Sequence, residues 1–138
     1  MGRRLFRAMY ADADKLPESG RSADKLGVRV HARTPTARVD IHLTDGKIAP
    51  GTPAEGLSVQ IDDPTGAPPF RLPRALGGTS EATLFELDED DLPELLELVA
   101  DHDSHGVIRP RRPCSLEEYE AALSESRSKW RITDVDEL

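Results

Sequence analysis

Apolar and polar residues alternate along several short segments of this chain, which is the pattern of half-buried β-strands. The alternation predicts strands at residues 3–10, 27–31, 57–62, 82–87, 95–100 and 105–109, and a brief strand at 39–41. Residues 92–100 also fit helical spacing. A strand over 95–100 is favoured because the polar segment 101–104 follows it and would close a hairpin onto the next strand.

Two helices are predicted from capping signals rather than from long periodic runs. A short helix begins at the N-cap residue Ser22 and ends at Gly27. A longer one follows the capping box 115–118 and carries Leu123 and Trp130 on one apolar face, so both side chains are expected to be buried against the sheet. The elements together predict a strand-rich α+β fold with a packed C-terminal helix, as a single domain over 1–138.

Three of the predicted strands place one polar residue among apolar neighbours. Arg7 shares a face with Leu5 and Met9. On the strand at 57–62, Ser58 lies with Gln60 on the face opposite the apolar residues, and on the strand at 105–109, His105 shares a face with Val107. We expect these three side chains to line one cavity between two sheets. A guanidinium for phosphate, a hydroxyl and an imidazole for a ribose hydroxyl are groups that hold a nucleotide.

Each of the three residues also has a purely structural interpretation. Arg7 could extend to solvent or pair with an acid on a strand that has one wet face. Ser58 could be a strand-surface serine, and His105 could be a turn residue. The functional interpretation therefore depends on all three lying together.

Composition and charge narrow the class of function. The net charge of −8 argues against a nucleic-acid surface and against docking on anionic lipid. No apolar run approaches the length of a membrane span, and no secretory signal follows Arg3 and Arg4, so a soluble cytoplasmic protein is expected. Cys114 is the single cysteine, and His31 and His42 have no third ligand at metal spacing, so no metal site is predicted.

An ordered set of segments resembles a known family. The segments are 5–8 (Leu-Phe-Arg-Ala), 45–52 leading into 56–59, 105–110 (His-Gly-Val-Ile-Arg-Pro), Pro113, and a helix with Trp130. This set is similar to the compact cytotoxic effectors of type VI secretion systems, whose fold resembles ADP-ribosyltransferases.

The resemblance implies a split sheet like that of ADP-ribosyltransferases. It also implies an NAD-related bacterial toxin that acts in the cytoplasm and is neutralised by a small immunity or antitoxin protein. The same resemblance implies delivery to neighbouring cells as one route of action. By position, Arg7, Ser58 and His105 match the family's first-strand arginine, its serine after the glycine turn and its late-strand histidine. They are the expected NAD-binding residues, with Ser58 and His105 also expected to be catalytic.

The chain departs from the family pattern at two places. Leu57 stands where the pattern has a hydroxyl, and Arg109 and Pro110 close the late strand where transferases carry a catalytic glutamate. A substitute carboxylate could come from the pair Asp62 and Asp63, from Glu117 or from Glu118, and spacing does not choose among them.

Two functional hypotheses follow from these patterns. One is an NAD-dependent toxin, either an ADP-ribosyltransferase or an NAD glycohydrolase. The other is a non-catalytic acidic interaction or antitoxin-like module. The toxin hypothesis requires an open cleft at the three polar positions. In an interaction module, side chains could fill that cleft.

Overall fold

A computed structural model describes residues 2–31, 34–51 and 54–138. Thr52, the last residue of the segment 45–52, lies outside the described residues. Within these ranges the strands are, in chain order, β1 (Arg4–Met9), β2 (Lys47–Ile48), β3 (Leu57–Ile61), β4 (Thr83–Asp88), β5 (Leu96–His102), β6 (His105–Pro110), β7 (Cys114–Ser115) and β8 (Arg131–Ile132). The α-helix α1 (Leu116–Ser126) lies between β7 and β8.

Six of the strands form one sheet in the order β5-β6-β3-β1-β4-β8, and every neighbouring pair is antiparallel. The strands β2 and β7 form a separate two-stranded sheet. The long segment between β3 and β4 is rich in proline and glycine, and it folds into three single 3₁₀ turns, Pro64–Gly66, Pro69–Arg71 and Arg74–Leu76.

The predicted strands at 3–10, 57–62, 82–87, 95–100 and 105–109 are confirmed within one or two residues of their ends. The ambiguous segment after Leu92 is a strand, and it forms the expected hairpin with β6. Mixed sheet-rich architecture with a C-terminal helix is thus confirmed as the fold class.

Three predicted elements are wrong, and all three lie along one surface cleft of the protein. Residues 22–26 form turns rather than a helix, and neither 27–31 nor 39–41 is a regular strand. The carbonyl oxygens of the first segment are bound by the Arg7 side chain instead of by helical N–H groups. The segments 27–31 and 39–41 are joined by one backbone hydrogen bond, in which Asp40 N donates to Arg29 O at 2.8 Å. The pairing does not continue into a strand ladder.

The closing helix follows the sequence prediction. The Ser115 hydroxyl accepts from Glu118 N and the Glu118 carboxylate accepts from Ser115 N, both at 3.1 Å, which completes the capping box. Leu123 and Trp130 are buried as expected, although Trp130 lies just beyond the 3₁₀ turn that ends the helix. In the described ranges, no helix has both the length and the apolar character needed to cross a bilayer.

The two faces of the six-stranded sheet differ in character. One packs against α1 and carries Leu5 and Met9 of β1, together with further core residues of β3, β4 and β6 (Leu57, Val59, Ile61, Phe85, Leu87 and Ile108). Cross-strand register places Ser58, Gln60, His105 and Val107 on the opposite face. That second face holds the candidate site.

Candidate functional site

A cleft of about 730 Å³ lies on the sheet face that is opposite the helix. Arg7, Ser58 and His105 all line it, so the expected convergence of the three side chains is confirmed. The expected position between two sheets is wrong, because neither β2 nor β7 contributes a lining residue among those described. Loops from residues 38–40 and 64–71 form the other walls, and the cleft is open rather than filled by side chains.

Arg7 reaches the cleft through an opening in the sheet. The strands β1 and β3 pair only at Leu5–Ile61 and Phe6–Gln60. Beyond that point Arg7 spans the gap, and its Nη1 donates to the Ser58 carbonyl oxygen at 2.8 Å. The guanidinium therefore takes the place of the ladder hydrogen bonds that two adjacent strands would otherwise make.

The Arg7 guanidinium is buried and surrounded by backbone oxygens. Besides Ser58 it donates to the carbonyls of Ser22, Ala23 and Lys25 at 2.9–3.4 Å. Burial, with the positive charge of Arg71 nearby, lowers the pKa of Arg7 to about 10. Neither structural alternative for this residue holds, because it does not extend to solvent and its acceptors are backbone carbonyls rather than an acid. One Nη1 hydrogen has no acceptor among the described residues.

Arg71 is a second cation at the same end of the cleft, and the sequence patterns gave no indication of it. Its Nη1 donates to Ala23 O at 3.2 Å, the same oxygen to which Arg7 Nη2 donates at 3.0 Å. Burial and the nearby Arg29 lower the pKa of Arg71. Arg29 is neutralised by a bidentate pair with Asp40, whereas the ion pairs found among the described residues do not include Arg71. Two guanidiniums converging on one carbonyl create a positive subsite in an acidic protein.

The opposite end of the cleft is built from the β5–β6 hairpin. His105 Nδ1 lies 2.7 Å from Asp101 Oδ1, and His102 Nδ1 lies 3.0 Å from the same oxygen. The two imidazole rings stack with centroids 4.9 Å apart. Burial acts to raise the pKa of Asp101, but the hydrogen bond and charge of His105 outweigh it and lower that pKa. Asp101 is thus the carboxylate that orients His105, and it lines the cleft beside it.

Ser58, which carries the hydroxyl, lies between the cationic end of the cleft and the hairpin end. Ser58 is half-buried, and Gln60, two residues further along β3, accepts from Ser104 Oγ at 3.2 Å. Since Gln60 is paired with His105 across the strands, the middle of the cleft presents a hydroxyl, an amide and an imidazole on one face. Gln60 was not singled out by the sequence patterns.

None of the carboxylates suggested by sequence lines the cleft. Asp62 accepts from Arg4 N at 2.9 Å, Asp63 caps the turn at Thr65, and Glu118 belongs to the capping box. Glu117 is exposed on α1. The acids that do line the cleft are Asp40, Glu55, Asp101 and Asp103.

Comparison with known proteins decides the family. The model of the family described as Tse2 ADP-ribosyltransferase toxin matches residues 5–132, which is nearly the whole chain. The chain belongs to this Tse2 family. No curated protein and no solved structure matches it.

Membership agrees with the resemblance drawn from the sequence, and it identifies a toxin-family protein with an ADP-ribosyltransferase-like fold. The Tse2 match includes β1, β3 and β6, the strands that carry Arg7, Ser58 and His105. The roles of these residues as NAD-binding or catalytic groups stay predictions.

Proposed function

We propose that this chain is a bacterial toxin that binds NAD in the cleft and breaks the bond between nicotinamide and ribose. The observation that carries the proposal is the separation of two subsites in one open cleft: paired guanidiniums at one end, and a histidine oriented by a carboxylate at the other. Membership in a family described by ADP-ribosyl transfer supports NAD as the substrate. The volume of about 730 Å³ lies within the range of ligand pockets.

The diphosphate of NAD is assigned to the cationic end. Arg71 and the remaining Nη1–H of Arg7 would donate to phosphate oxygens in charge-assisted hydrogen bonds. An anion there would relieve the repulsion between two guanidiniums that share Ala23 O. Arg7 has a second role as a positioning residue, because it holds the neighbouring backbone in place.

The nicotinamide ribose is assigned to the hairpin end. When Nδ1 of His105 donates to Asp101, Nε2 is left to accept from a ribose hydroxyl. Ser58 would hold the ribose or the nicotinamide by hydrogen bonding. This arrangement fixes the sugar while the bond at its anomeric carbon weakens.

The reaction breaks the carbon–nitrogen bond, and nicotinamide leaves as a neutral base with the bonding electron pair. The positive charge then resides on an oxocarbenium-like ribose, which the Asp101 carboxylate and the cleft dipoles would stabilise. A nucleophile attacks the anomeric carbon and releases its proton. The products are nicotinamide and ADP-ribose joined to the acceptor, which is a macromolecule in a transferase and water in a glycohydrolase.

The proposal includes a site of action and a partner. NAD is available in the bacterial cytoplasm, so we place the toxic activity there, with a cognate immunity protein protecting the producing cell. The alternative of a non-catalytic interaction module is not favoured by a cleft that is open at the three polar positions.

Induced expression in a bacterial host tests the function. The wild type, Ser58→Ala and His105→Ala are compared with His31→Ala as control, because His31 is an exposed histidine that does not line the cleft. Growth should stop with the wild type and the control, and recover with the two cleft variants. Circular dichroism of each purified protein checks folding. A harmless wild type would favour the interaction module, and full toxicity from both folded cleft variants would remove the assigned site.

A further inference from the structure

A bulge in strand β5 brings three metal-ligating side chains together. The register of β5 on β6 shifts between Ala100 and His102, so that Asp101 is the extra residue. Regular alternation would send Asp101 and His102 to opposite faces of the sheet. With the bulge, both residues lie opposite His105 and both line the cleft.

The ligand atoms of these three side chains already converge. One nitrogen from each imidazole and one Asp101 oxygen all lie within 4.8 Å of one another. The distances from Asp101 Oδ1 are 2.7 Å to His105 Nδ1 and 3.0 Å to His102 Nδ1. Ligand atoms around a tetrahedral zinc ion are about 3.3 Å apart, as follows from bond lengths near 2.0–2.1 Å. Small side-chain rotations would therefore open the cluster to the spacing that an ion requires.

We propose that Asp101, His102 and His105 form a binding site for Zn²⁺. Two imidazoles and one carboxylate are a donor set that suits zinc, whereas calcium and magnesium prefer oxygen ligands. The hairpin is accessible, because His102 is largely exposed. Three protein ligands leave the fourth position directed at solvent in the cleft, as in sites where zinc holds a water or a small ligand.

The local charge favours a cation here. The hairpin turn 101–104 contains two Asp residues and no Lys or Arg, in a chain with net charge −8. The acids at 86, 89, 94 and 97 are instead paired with arginines and do not add to this local charge. The ion would take the place of the protons that now join the imidazoles to Asp101, so the carboxylate would keep its ionic partner. This inference does not depend on NAD binding.

Zinc would change what His105 offers to the cleft. A neutral imidazole that binds metal through Nδ1 carries its proton on Nε2. Nε2 would then be a donor, whereas without metal and with Nδ1 donating to Asp101 it is an acceptor. A zinc-bound hairpin would therefore present a different hydrogen-bonding group to any ligand in the cleft.

Calorimetric titration of the untagged full chain with zinc chloride tests the site. The wild type should bind one Zn²⁺ per chain, and His102→Gln should weaken binding at least tenfold. His42→Gln is the matched control, since His42 forms a His–carboxylate pair with Glu55, and it should leave zinc affinity unchanged. His102 is chosen because the proposed NAD chemistry does not use it.

A spectroscopic readout confirms the ligands independently of activity. Cobalt(II) in place of zinc should give a visible absorption band with the wild type that is lost in His102→Gln and in Asp101→Asn. Zinc should also raise the melting temperature of the wild type and not of these two variants. The proposal is overturned if the wild type binds no zinc, or if zinc binds the wild type and His102→Gln with equal affinity.

Discussion

Arg7 and Ser58 are joined by a hydrogen bond from the Arg7 side chain to the Ser58 backbone, with Nη1 2.8 Å from the carbonyl oxygen. The contact couples two residues of the cleft through the strand that carries Ser58. It also explains how a charged side chain on the core face of β1 reaches the other side of the sheet: the strands separate there, and the guanidinium fills the opening.

Arg7→Ala should unfold the protein at much lower denaturant. The substitution removes the hydrogen bonds that the guanidinium donates to the carbonyls of Ala23, Lys25 and Ser58. Ala23 O keeps its bond from Arg71 and Lys25 O its bond from Gly27 N. A hydrogen bond from a charged group contributes about 1.5–3 kcal/mol, so the loss of several should lower the free energy of unfolding by about 3 kcal/mol or more. Arg7→Lys should be intermediate, because an ammonium lacks the planar fork that reaches several oxygens at once.

Urea titration measures these losses against Arg74→Ala. Arg74 pairs with Glu81 on the surface, where both side chains are largely exposed, and such pairs contribute only about 0–1 kcal/mol. An Arg7→Ala protein as stable as Arg74→Ala would show that water replaces the guanidinium at the carbonyls.

Trp130→Ala should be among the most destabilising substitutions in the chain. The indole is buried at the edge of the core, and its Nε1 donates to Ser126 Oγ at 3.2 Å. Removing it should cost about 3–5 kcal/mol. Thermal unfolding is the measurement, with Ile132→Ala as control because Ile132 is 45% exposed. An unchanged melting temperature would mean that the closing segment contributes little to the core.

Because of Asp40, the free energy of unfolding should depend on pH in the acidic range. Burial acts to raise the pKa of the Asp40 carboxyl, but hydrogen bonds from the Arg29 side chain and backbone outweigh it, and the pKa is lowered. A carboxyl with a lowered folded-state pKa contributes stability above its unfolded value, near 3.8, and loses it as pH falls through the folded-state pKa.

Asp40→Asn should therefore be less stable than wild type at pH 7 by about 1.5–3 kcal/mol, the range for hydrogen bonds to charged groups. The difference between the two proteins should shrink when both are unfolded at pH 3. Urea titrations at the two pH values measure it. An equal difference at both would contradict the assignment of the effect to the ionised carboxylate.

Local patterns predicted the elements that local interactions determine. Alternation identified β1, β3 and β6, and the capping box identified the start of α1, because each depends on residues close in sequence. The prediction of a helix over 22–26 is wrong because carbonyls of this segment bind Arg7, a contact that spans at least 15 residues and leaves no periodic trace.

The candidate site likewise contains residues that local patterns predict and residues that they do not. The position of Arg7, Ser58 and His105 along the cleft could be predicted, because each is a polar residue on a short segment that the local pattern identifies as a strand. Asp101 could not, because its direction depends on a bulge that a regular period does not reveal. Arg71 lies in a segment rich in proline and glycine, and only the folded chain brings it to Ala23. A lone arginine between irregular turns carries no signal of a binding role.

Calorimetric titration with NAD in zinc-free buffer is the most direct test of the proposed NAD site. We expect saturable binding to the wild type, and binding at least tenfold weaker to Arg71→Ala, because a charge-assisted hydrogen bond is worth about 1.5–3 kcal/mol. Arg74→Ala, which removes an exposed arginine outside the cleft, should bind like the wild type. The claim is contradicted if the folded wild type does not bind NAD at millimolar concentration, or if Arg71→Ala binds it equally well.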